Sequence, residues 1–227
     1  MGSHATLAFQ QSVSMPRTVA VNARKQPKQA RSRAMVAAIV EATTRILREH
    51  GYAGASTNRV AKLAGVSPGS LYQYFPNKDA LVLAVADQHT EEVMELLRGA
   101  ALGSIGATLP EAVRAFVRAF IAAHCCDARL HRALIAQMMH LGIDRFLEVQ
   151  REATAFVRQW MELHSDVVRV RDRDMAAWML VTAAESVVHA GLIEDPDKLH
   201  SPAFEQELVD LLVAYLTAAR PDPAPGC

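Results

Sequence analysis

The sequence predicts an all-α protein in which an N-terminal three-helix helix-turn-helix domain precedes a larger C-terminal helical domain. Apolar residues recur at helical spacings in the periodic segments, and no segment has a convincing strand pattern. Ala, Val and Leu are abundant, whereas aromatic residues make up only 6% of the chain, which favours helix over sheet. With 51% hydrophobic residues, the 227-residue chain can bury a substantial core.

Four segments follow from composition and periodicity. Residues 1–30 lack periodicity and turn basic toward their end, which predicts a mobile basic arm. Residues 31–78 are predicted to form the helix-turn-helix head, and residues 79–220 a helical body. Residues 221–227 contain three prolines and are predicted to be a flexible tail.

The first helix of the head is predicted from a stripe of apolar residues. Met35, Ile39, Ala42 and Ile46 recur at spacings of four, three and four residues. This spacing is typical of an amphipathic helix, here of roughly 16 residues. Gly51 follows the stripe and is expected to end the helix in the left-handed conformation.

The second helix is predicted to begin at Ser56 and Thr57, whose hydroxyls can cap free backbone N–H groups. It is expected to bury Val60 and Leu63 and to end at Gly65.

The third helix is predicted to begin at Ser67, a capping residue, followed by Pro68 at the first helical position. Its back should carry Leu71 and Phe75, and Pro76 should end it.

A long fourth helix is predicted from Lys78 to about Arg98, capped by Asn77. Its N-terminal half is expected to pack on the head and its C-terminal half, including Leu96, on the body. Breaks at Asp, Gly and Pro residues then separate further predicted helices at about 111–126, 129–140, 145–164, 173–192 and 203–219.

Charge is distributed unevenly, although the net charge is zero. Residues 17–78 contain 11 Lys and Arg against two acidic residues, whereas residues 79–227 contain 13 against 22. A basic segment that contains a helix-turn-helix pattern indicates binding to nucleic acid.

The third helix has the features of a helix that reads the major groove of DNA. Its first turn is small and polar, so the backbone can approach the bases at Gly69, while Ser70 and Gln73 can reach base edges. Thr57 and Lys78 are expected to contact phosphates. Tyr72 and Tyr74 either contact DNA or serve mainly in packing. The predicted DNA-contacting residues are Thr57, Asn58, Arg59, Ser67, Pro68, Gly69, Ser70, Tyr72, Gln73, Tyr74 and Lys78.

This stretch resembles the tetracycline-repressor (TetR) family of bacterial regulators, over about residues 31–85. The matching positions are Thr57, Val60-Ala61, Ala64-Gly65-Val66-Ser67, Gly69, Leu71-Tyr72, Tyr74-Phe75, Lys78 and Leu81, with Val60 in place of the family's Ile. The resemblance implies a homodimer that binds a double-stranded DNA operator, a small-molecule pocket in the body and, usually, repression. The body at residues 79–220 would then be a ligand-binding and dimerisation domain.

Dimerisation is predicted through the last two long helices, at about 173–192 and 203–219, because both carry broad apolar faces. The alternative is that both helices belong to the core of a monomer. Two alternatives also remain for the basic arm: it inserts into a minor groove, or it is an unstructured tail that is attracted to DNA without specificity.

A largely apolar ligand pocket is predicted among the helices between about 111 and 192, since Met and aromatic side chains suit an irregular apolar site. Glu185 and His189 lie four residues apart and are candidates for a polar anchor. The predicted lining residues are Phe116, Phe120, His124, Met138, Met139, Phe146, Phe156, Trp160, Trp178, Glu185 and His189.

No metal, cofactor or catalytic site is predicted. His124, Cys125, Cys126 and His131 lack the paired cysteine spacing of zinc sites, and no phosphate-binding loop or nucleophile motif occurs. Three cysteines without framework spacing favour a reducing cytoplasm, and we expect no membrane span. An activator or effector-independent DNA-binding protein remains an alternative, as does a small-molecule-binding protein with a generic basic head.

Overall fold

The structure, a computed structural model, describes residues 30–218, apart from the side chains of residues 138 and 139. Within this range it contains ten helices and no strand, which confirms the all-α prediction. The helices are α1 (Ala30–Gly54), α2 (Thr57–Leu63), α3 (Pro68–Tyr74), α4 (Lys78–Gly103), α5 (Leu109–Cys125), α6 (Ala128–Leu141), α7 (Ile143–Glu162), α8 (Arg173–Glu194), α9 (Pro196–Leu199) and α10 (Pro202–Thr217).

The first helix differs from its prediction at both ends. It begins at Ala30, the last residue of the predicted arm; the rest of that arm and the predicted tail lie outside the described residues. Near its C-terminus Gly51 has φ +63°, as expected for a left-handed residue, and a short turn continues to Gly54. The helix therefore bends at the position where the sequence predicts an end.

The start of each following helix in the head is fixed by a local hydrogen bond. Ser56 accepts from the N–H of Arg59 at 3.3 Å, and Ser67 accepts from the N–H of Ser70 at 3.0 Å. Asn77 caps α4 by accepting from the N–H of residue 80 at 2.8 Å. Side-chain oxygens thus satisfy N–H groups that would otherwise lack a partner.

The head has its own hydrophobic core, formed by α1 to α3 and the first half of α4. Two residues of α6, Leu130 and Leu134, also belong to it. Leu63 was expected in this core but is 43% exposed, because the short α2 turns only Val60 and Ala61 inward. Because Leu130 and Leu134 belong to α6 of the body, their place in this core means that the head packs directly on part of the body.

The body core is formed by the second half of α4 with α5, α7, α8 and α10. Met94 and Leu97 are buried in it, whereas the neighbouring Leu96 is 51% exposed and does not lie on the inner face as predicted. The sequence also missed the four-residue helix α9, which is too short to produce a periodic pattern.

By length and composition alone, α8 could cross a membrane, which the sequence reading did not recognise. In the structure Ala176, Val188 and Leu192 of this helix are completely buried in the body core. The buried core helix of a globular domain passes the same length test, and this packing accounts for the composition of α8.

Candidate DNA-binding surface and ligand cavity

Helix α3 separates a small polar front from an apolar back. Ser67, Pro68, Gly69 and Gln73 are exposed, and Ser70 is half-buried beside Ser67, with the two hydroxyl oxygens 2.9 Å apart. Leu71 and Phe75, which form the back, are buried in the head core. The front is narrow and free of bulky groups at its first turn, as entry into a major groove requires.

Beside this front, the start of α2 is joined to α3 through two hydroxyls. The Thr57 Oγ1 atom and the Tyr72 hydroxyl lie 2.9 Å apart. The neighbouring Asn58 and Arg59 are exposed, and Arg59 donates to the carbonyl of Gly54 at 3.3 Å. The structure therefore brings the predicted contacts of α2 and Tyr72 of α3 onto one face.

Lys78 is held in place at the start of α4 by Tyr52. Its ammonium lies 3.6 Å from the centre of the Tyr52 ring and donates to the Tyr52 carbonyl at 3.3 Å. The Tyr52 hydroxyl donates to Asp79 at 2.5 Å, and burial together with this carboxylate raises the pKa of Tyr52 to about 12. Lys78 therefore has a defined position near the edge of the head.

Tyr74 lies on the buried side of α3. Only 6% of it is exposed, and it packs in the head core. Tyr74 lies three residues after Leu71, and this helical spacing places both residues on the buried side. This burial favours packing over DNA contact for Tyr74, whereas Tyr72 is 42% exposed on the opposite side.

The body encloses a cavity of about 280 Å³ between α4, α5, α6, α7, α8 and α10. Its wall is mainly apolar and includes these members of the predicted set: Phe116, Phe120, His124, Phe146, Phe156, Trp160, Glu185 and His189. A mainly apolar cavity with a few convergent polar groups is the usual form of a small-molecule site.

Three residues of the predicted lining set are not among the residues described above as lining the cavity. Trp178 is 52% exposed and lies on the outer surface of α8, so its prediction as a lining residue is corrected. Its neighbours Ala176 and Ala177 take the inward positions. The side chains of Met138 and Met139 lie outside the described residues.

Sequence reasoning missed two polar lining residues, His89 and His131, and the apolar pair Leu212 and Leu216 of α10. His89 follows Val85 and precedes Val93 by four residues each, so the helical stripe of α4 could have indicated that it faces inward. No comparable signal indicates that α10 reaches the cavity, because that contact depends on how the helices pack.

Four histidines form a polar wall at one side of the cavity. The His89 Nε2 and His131 Nδ1 atoms lie 2.7 Å apart, and His131 Nε2 lies 3.1 Å from His189 Nε2. His124 donates from Nδ1 to the carbonyl of Phe120 at 2.8 Å. The rings are thus linked to one another or to the backbone in a site that contains little polar surface.

Burial keeps these imidazoles neutral. It lowers the pKa of His124 to about 3, of His131 to about 2 and of His189 to about 4, and it also lowers the pKa of His89. The charged form loses its hydration in the cavity wall, and neighbouring imidazolium charges would repel each other.

Glu185 is the one carboxylic acid among the lining residues. It accepts a hydrogen bond from the Gln150 side chain at 2.7 Å. Burial raises the pKa of Glu185 to about 7, so the group is close to half-protonated at neutral pH. It can therefore both donate and accept hydrogen bonds in the cavity.

Comparison with known proteins gives the family. The model for bacterial regulatory proteins of the tetR family matches residues 39–85. The model for the tetracyclin-repressor-like C-terminal domain matches residues 108–216. The chain belongs to the TetR family.

Individual relatives agree with this assignment. The HTH-type transcriptional repressor AcnR of Corynebacterium diphtheriae is 34% identical over 59 residues, which are 26% of this chain and 31% of that protein. The match to this curated relative thus spans about a third of its length. This TetR-family chain and that repressor are similar in one segment, so the function of the whole protein is treated below as a proposal.

Two solved structures share the fold. A TetR-family regulator from Mesorhizobium loti superposes with a TM-score of 0.65 and 20% identity, covering 84% of this chain and 98% of the other. The structure of SmeT in complex with triclosan gives a TM-score of 0.62 and 19% identity, covering 85% of this chain and 100% of the other. The likeness therefore extends through both head and body.

Proposed function

We propose that this TetR-family protein is a ligand-responsive DNA-binding transcriptional regulator. In this proposal it acts as a repressor that a small, largely apolar molecule releases from a near-palindromic operator. The observation that carries the proposal is that α4 and α6 contribute side chains both to the head core and to the wall of the body cavity.

Helix α6 makes this connection within two turns. Leu130 packs in the head core, His131 lines the cavity, and Leu134 does both. At the start of the helix, Asp127 accepts from the Arg48 guanidinium of α1 at 2.5 Å. A ligand that displaces α6 therefore also displaces the surface on which α1 rests.

Helix α4 makes a second connection. Val85 belongs to the head core, Ala86 to both that core and the cavity wall, and His89 to the cavity wall one turn later. A rotation of α4 about its axis would move the head, because α3 is joined to α4 by only three residues, 75–77. Ligand binding shifts the two conformations only to the extent that its affinity for them differs.

The cavity volume favours a small effector. About 280 Å³ lies just below the ~300–1,000 Å³ that pockets for drug-sized ligands usually occupy. Larger molecules would have to expand the cavity, and this expansion would supply the displacement of α4 and α6. Glu185 and the histidine wall offer hydrogen bonds to one polar end of such a ligand.

A dimer would present two heads to DNA. Large apolar side chains are exposed on neighbouring surfaces of the last long helices: Met175, Trp178 and Met179 on α8 and Leu211 on α10. Tyr215 of α10 donates to the Met179 sulfur at 3.5 Å and joins the two surfaces. An exposed apolar surface of this kind fits pairing with a second copy through an isologous interface.

The test is selection of bound duplexes from a random DNA pool at about 150 mM salt, where generic phosphate attraction is weakened. We expect a near-palindrome whose half-sites lie one helical turn or slightly more apart. Gln73→Ala should relax base preference at one position of each half-site. If no sequence is enriched, the head binds DNA generically and the proposal of a specific regulator fails.

The effector is tested by adding a panel of small apolar molecules to the selected duplex. Release of the duplex by some members supports the repressor mechanism. Operator binding that is indifferent to the whole panel would favour an effector-independent regulator, and transcription that rises on binding would favour an activator. A regulator that acts on chromosomal DNA in this way would work in the cytoplasm.

A further inference from the structure

We propose that His124, His131 and His189 bind a single divalent transition-metal ion of the zinc class in the wall of the cavity. The three residues come from α5, α6 and α8, and one ring nitrogen of each lies within 4.8 Å of those of the other two. This arrangement is absent from the sequence pattern, which lacks the paired cysteines from which zinc sites are usually predicted. The proposal therefore departs from the expectation that the chain has no metal site.

The spacing of the nitrogens suits a small ion. His131 Nε2 and His189 Nε2 lie 3.1 Å apart. Two imidazole nitrogens on a tetrahedral zinc ion, each at 2.0–2.1 Å from the metal, are separated by about 3.3 Å. An ion can thus replace the hydrogen bond between these two rings, and the nitrogen of His124, which lies within 4.8 Å of the other two, would move toward the ion to complete the set.

Hydrogen bonds outside the site orient the rings. The carbonyl of Phe120 can only accept, so the Nδ1 atom of His124 carries the proton and its Nε2 atom retains a free lone pair. When His131 donates from Nδ1 to His89, its Nε2 atom has a lone pair, which accepts from His189 Nε2 in the absence of a metal. Metal binding requires His189 to carry its proton on Nδ1 instead, so that both Nε2 atoms can bind the ion. Metal-binding histidines are held in this way by partners on their other nitrogen.

The surroundings also match a metal site with an open position. Neutral imidazoles are the form that binds a metal, and burial maintains that form here. All three rings line the cavity, so a fourth position on the ion would face the space that a ligand occupies. Three histidines and one exchangeable position are the donor set of open zinc sites. A ligand with an oxygen, nitrogen or sulfur donor could complete the coordination.

The inference goes beyond the proposed function, since it requires the cavity but not release from DNA. The competing explanation is that the imidazoles form only a buried hydrogen-bonded network. A network of this kind satisfies its members without an ion, whereas a metal site must show saturable binding at one ion per chain.

The experiment uses the full chain after treatment with a chelator, in the absence of DNA. Zn²⁺ is titrated in competition with a chromophoric chelator, and Co²⁺ is added as a spectroscopic probe. We expect one ion per chain. We also expect the visible d–d bands of four-coordinate Co²⁺ without the near-ultraviolet band of a thiolate ligand, although Cys125 and Cys126 lie nearby in sequence.

His189→Ala and His124→Ala should each lower Zn²⁺ affinity by about 100-fold or more, since each removes a ligand, and His89→Phe should lower it about 10- to 100-fold by removing a supporting hydrogen bond. The matched controls are His140→Ala and His200→Ala, which remove exposed histidines and should change nothing. Helical circular dichroism of each metal-free variant verifies the fold.

Two results would overturn the proposal. One is the absence of saturable Zn²⁺ binding to the unmodified chain. The other is binding that persists unchanged in a folded His189→Ala or His124→Ala variant, which would place the ion elsewhere. Failure here leaves the DNA selection unaffected, so the two proposals are separable.

Discussion

At the scale of single residues, two glycines of the head serve different purposes. Gly65 has φ +67°, and nothing lies within 4 Å of a Cβ added to it. Glycine is therefore favoured at this position by the left-handed backbone conformation and not by a lack of space. Gly69 lies within helix α3, and the nearest atom to an added Cβ is the Ser67 hydroxyl oxygen at 3.9 Å. Its lack of a side chain matters only for what approaches the front of α3.

Substitution by alanine should separate these purposes. Gly65→Ala is expected to lower the free energy of unfolding by about 1–2 kcal/mol, the cost of the left-handed conformation for a residue with a Cβ. Gly69→Ala should leave stability unchanged or raise it by about 0.4–1 kcal/mol, yet weaken operator binding. Urea unfolding and DNA titration measure both; a stable Gly69→Ala variant with full operator affinity would exclude close approach at this position.

Glu185 gives a pH dependence with a defined sign. Its pKa of about 7 in the folded chain exceeds the value of 4.5 of an unperturbed glutamate, so the folded state holds the proton more tightly. The stability contributed by this group is therefore present at pH below 4.5 and is lost as pH rises toward 7.

Glu185→Gln should remove this loss while retaining a side chain that can bond to Gln150. Between about pH 5 and pH 8, we expect the unfolding free energy of the unmodified chain to fall relative to the variant by about 1–3 kcal/mol. Denaturant unfolding at each pH tests this. Glu207→Gln, at an exposed position, is the control. Parallel pH profiles for all three chains would show that folding does not raise the pKa of Glu185.

At the scale of elements, α6 connects the head to the cavity. Asp127, the residue immediately before α6, makes two contacts at the start of this connection. This carboxylate accepts from Arg48 of α1 and also from the N–H of Leu130 at 3.1 Å, so it both pairs with the head and caps its own helix. The two functions can be separated, because asparagine retains an acceptor for the cap but lacks the charge.

A double-mutant cycle of Arg48→Ala and Asp127→Asn should give a coupling energy of about 0.2–1 kcal/mol in thermal or urea unfolding. The value should decrease at high salt, since the Arg48 side chain is 50% exposed. The pair Arg45 and Glu49 within α1 is a control that does not connect two elements. Hydrogen exchange in α1 should increase when the Arg48–Asp127 pair is broken but not when the Arg45–Glu49 pair is broken. Equal protection of α1 in both cases would show that the Arg48–Asp127 pair does not couple the head to the body.

At the scale of the whole molecule, the outward surface of α8 and α10 is the proposed dimer interface. Leu211 is 56% exposed there, and a charge at this position would be desolvated in a dimer. Inner residues of the same helices, such as Leu212 and Leu216, line the cavity instead. Each of the two helices thus has one face packed in the body and one exposed face, and the exposed face is the one proposed to contact a partner.

Leu211→Glu is expected to convert the dimer to a monomer without unfolding it. Analytical ultracentrifugation should show the change at a concentration where the unmodified chain is dimeric, and operator affinity should fall about 10²- to 10⁴-fold because the second head is no longer linked. Leu163→Glu, at a residue that is 67% exposed at the end of α7, is the control. A dimer that withstands Leu211→Glu would place the interface elsewhere.

Local features of the head could be derived from the sequence almost completely. The caps at Ser56, Ser67 and Asn77 and the positive φ of Gly51 involve residues within a few positions of one another. Their interactions form wherever those residues occur in that order. The role of Tyr74 stayed open in the sequence, and its burial on the inner side of α3 favours packing.

The cavity was predicted less completely, because periodicity shows that a side chain is apolar and helical but not which neighbour it faces. Trp178 and Phe156 have similar sequence signals, yet one is on the outer surface of α8 and the other lines the cavity. The direction of each was decided by the packing of α8 against α7.

The sequence by itself therefore determined the helical class, the head and the small polar front of α3, because these follow from short-range spacing and capping. Only the tertiary structure gathered His89, His124, His131 and His189, which are separated by up to 100 residues, into one wall. It also decided that α4 and α6 belong to head and cavity at once. Such relations depend on where whole helices cross, which the spacing of residues along a single helix does not encode.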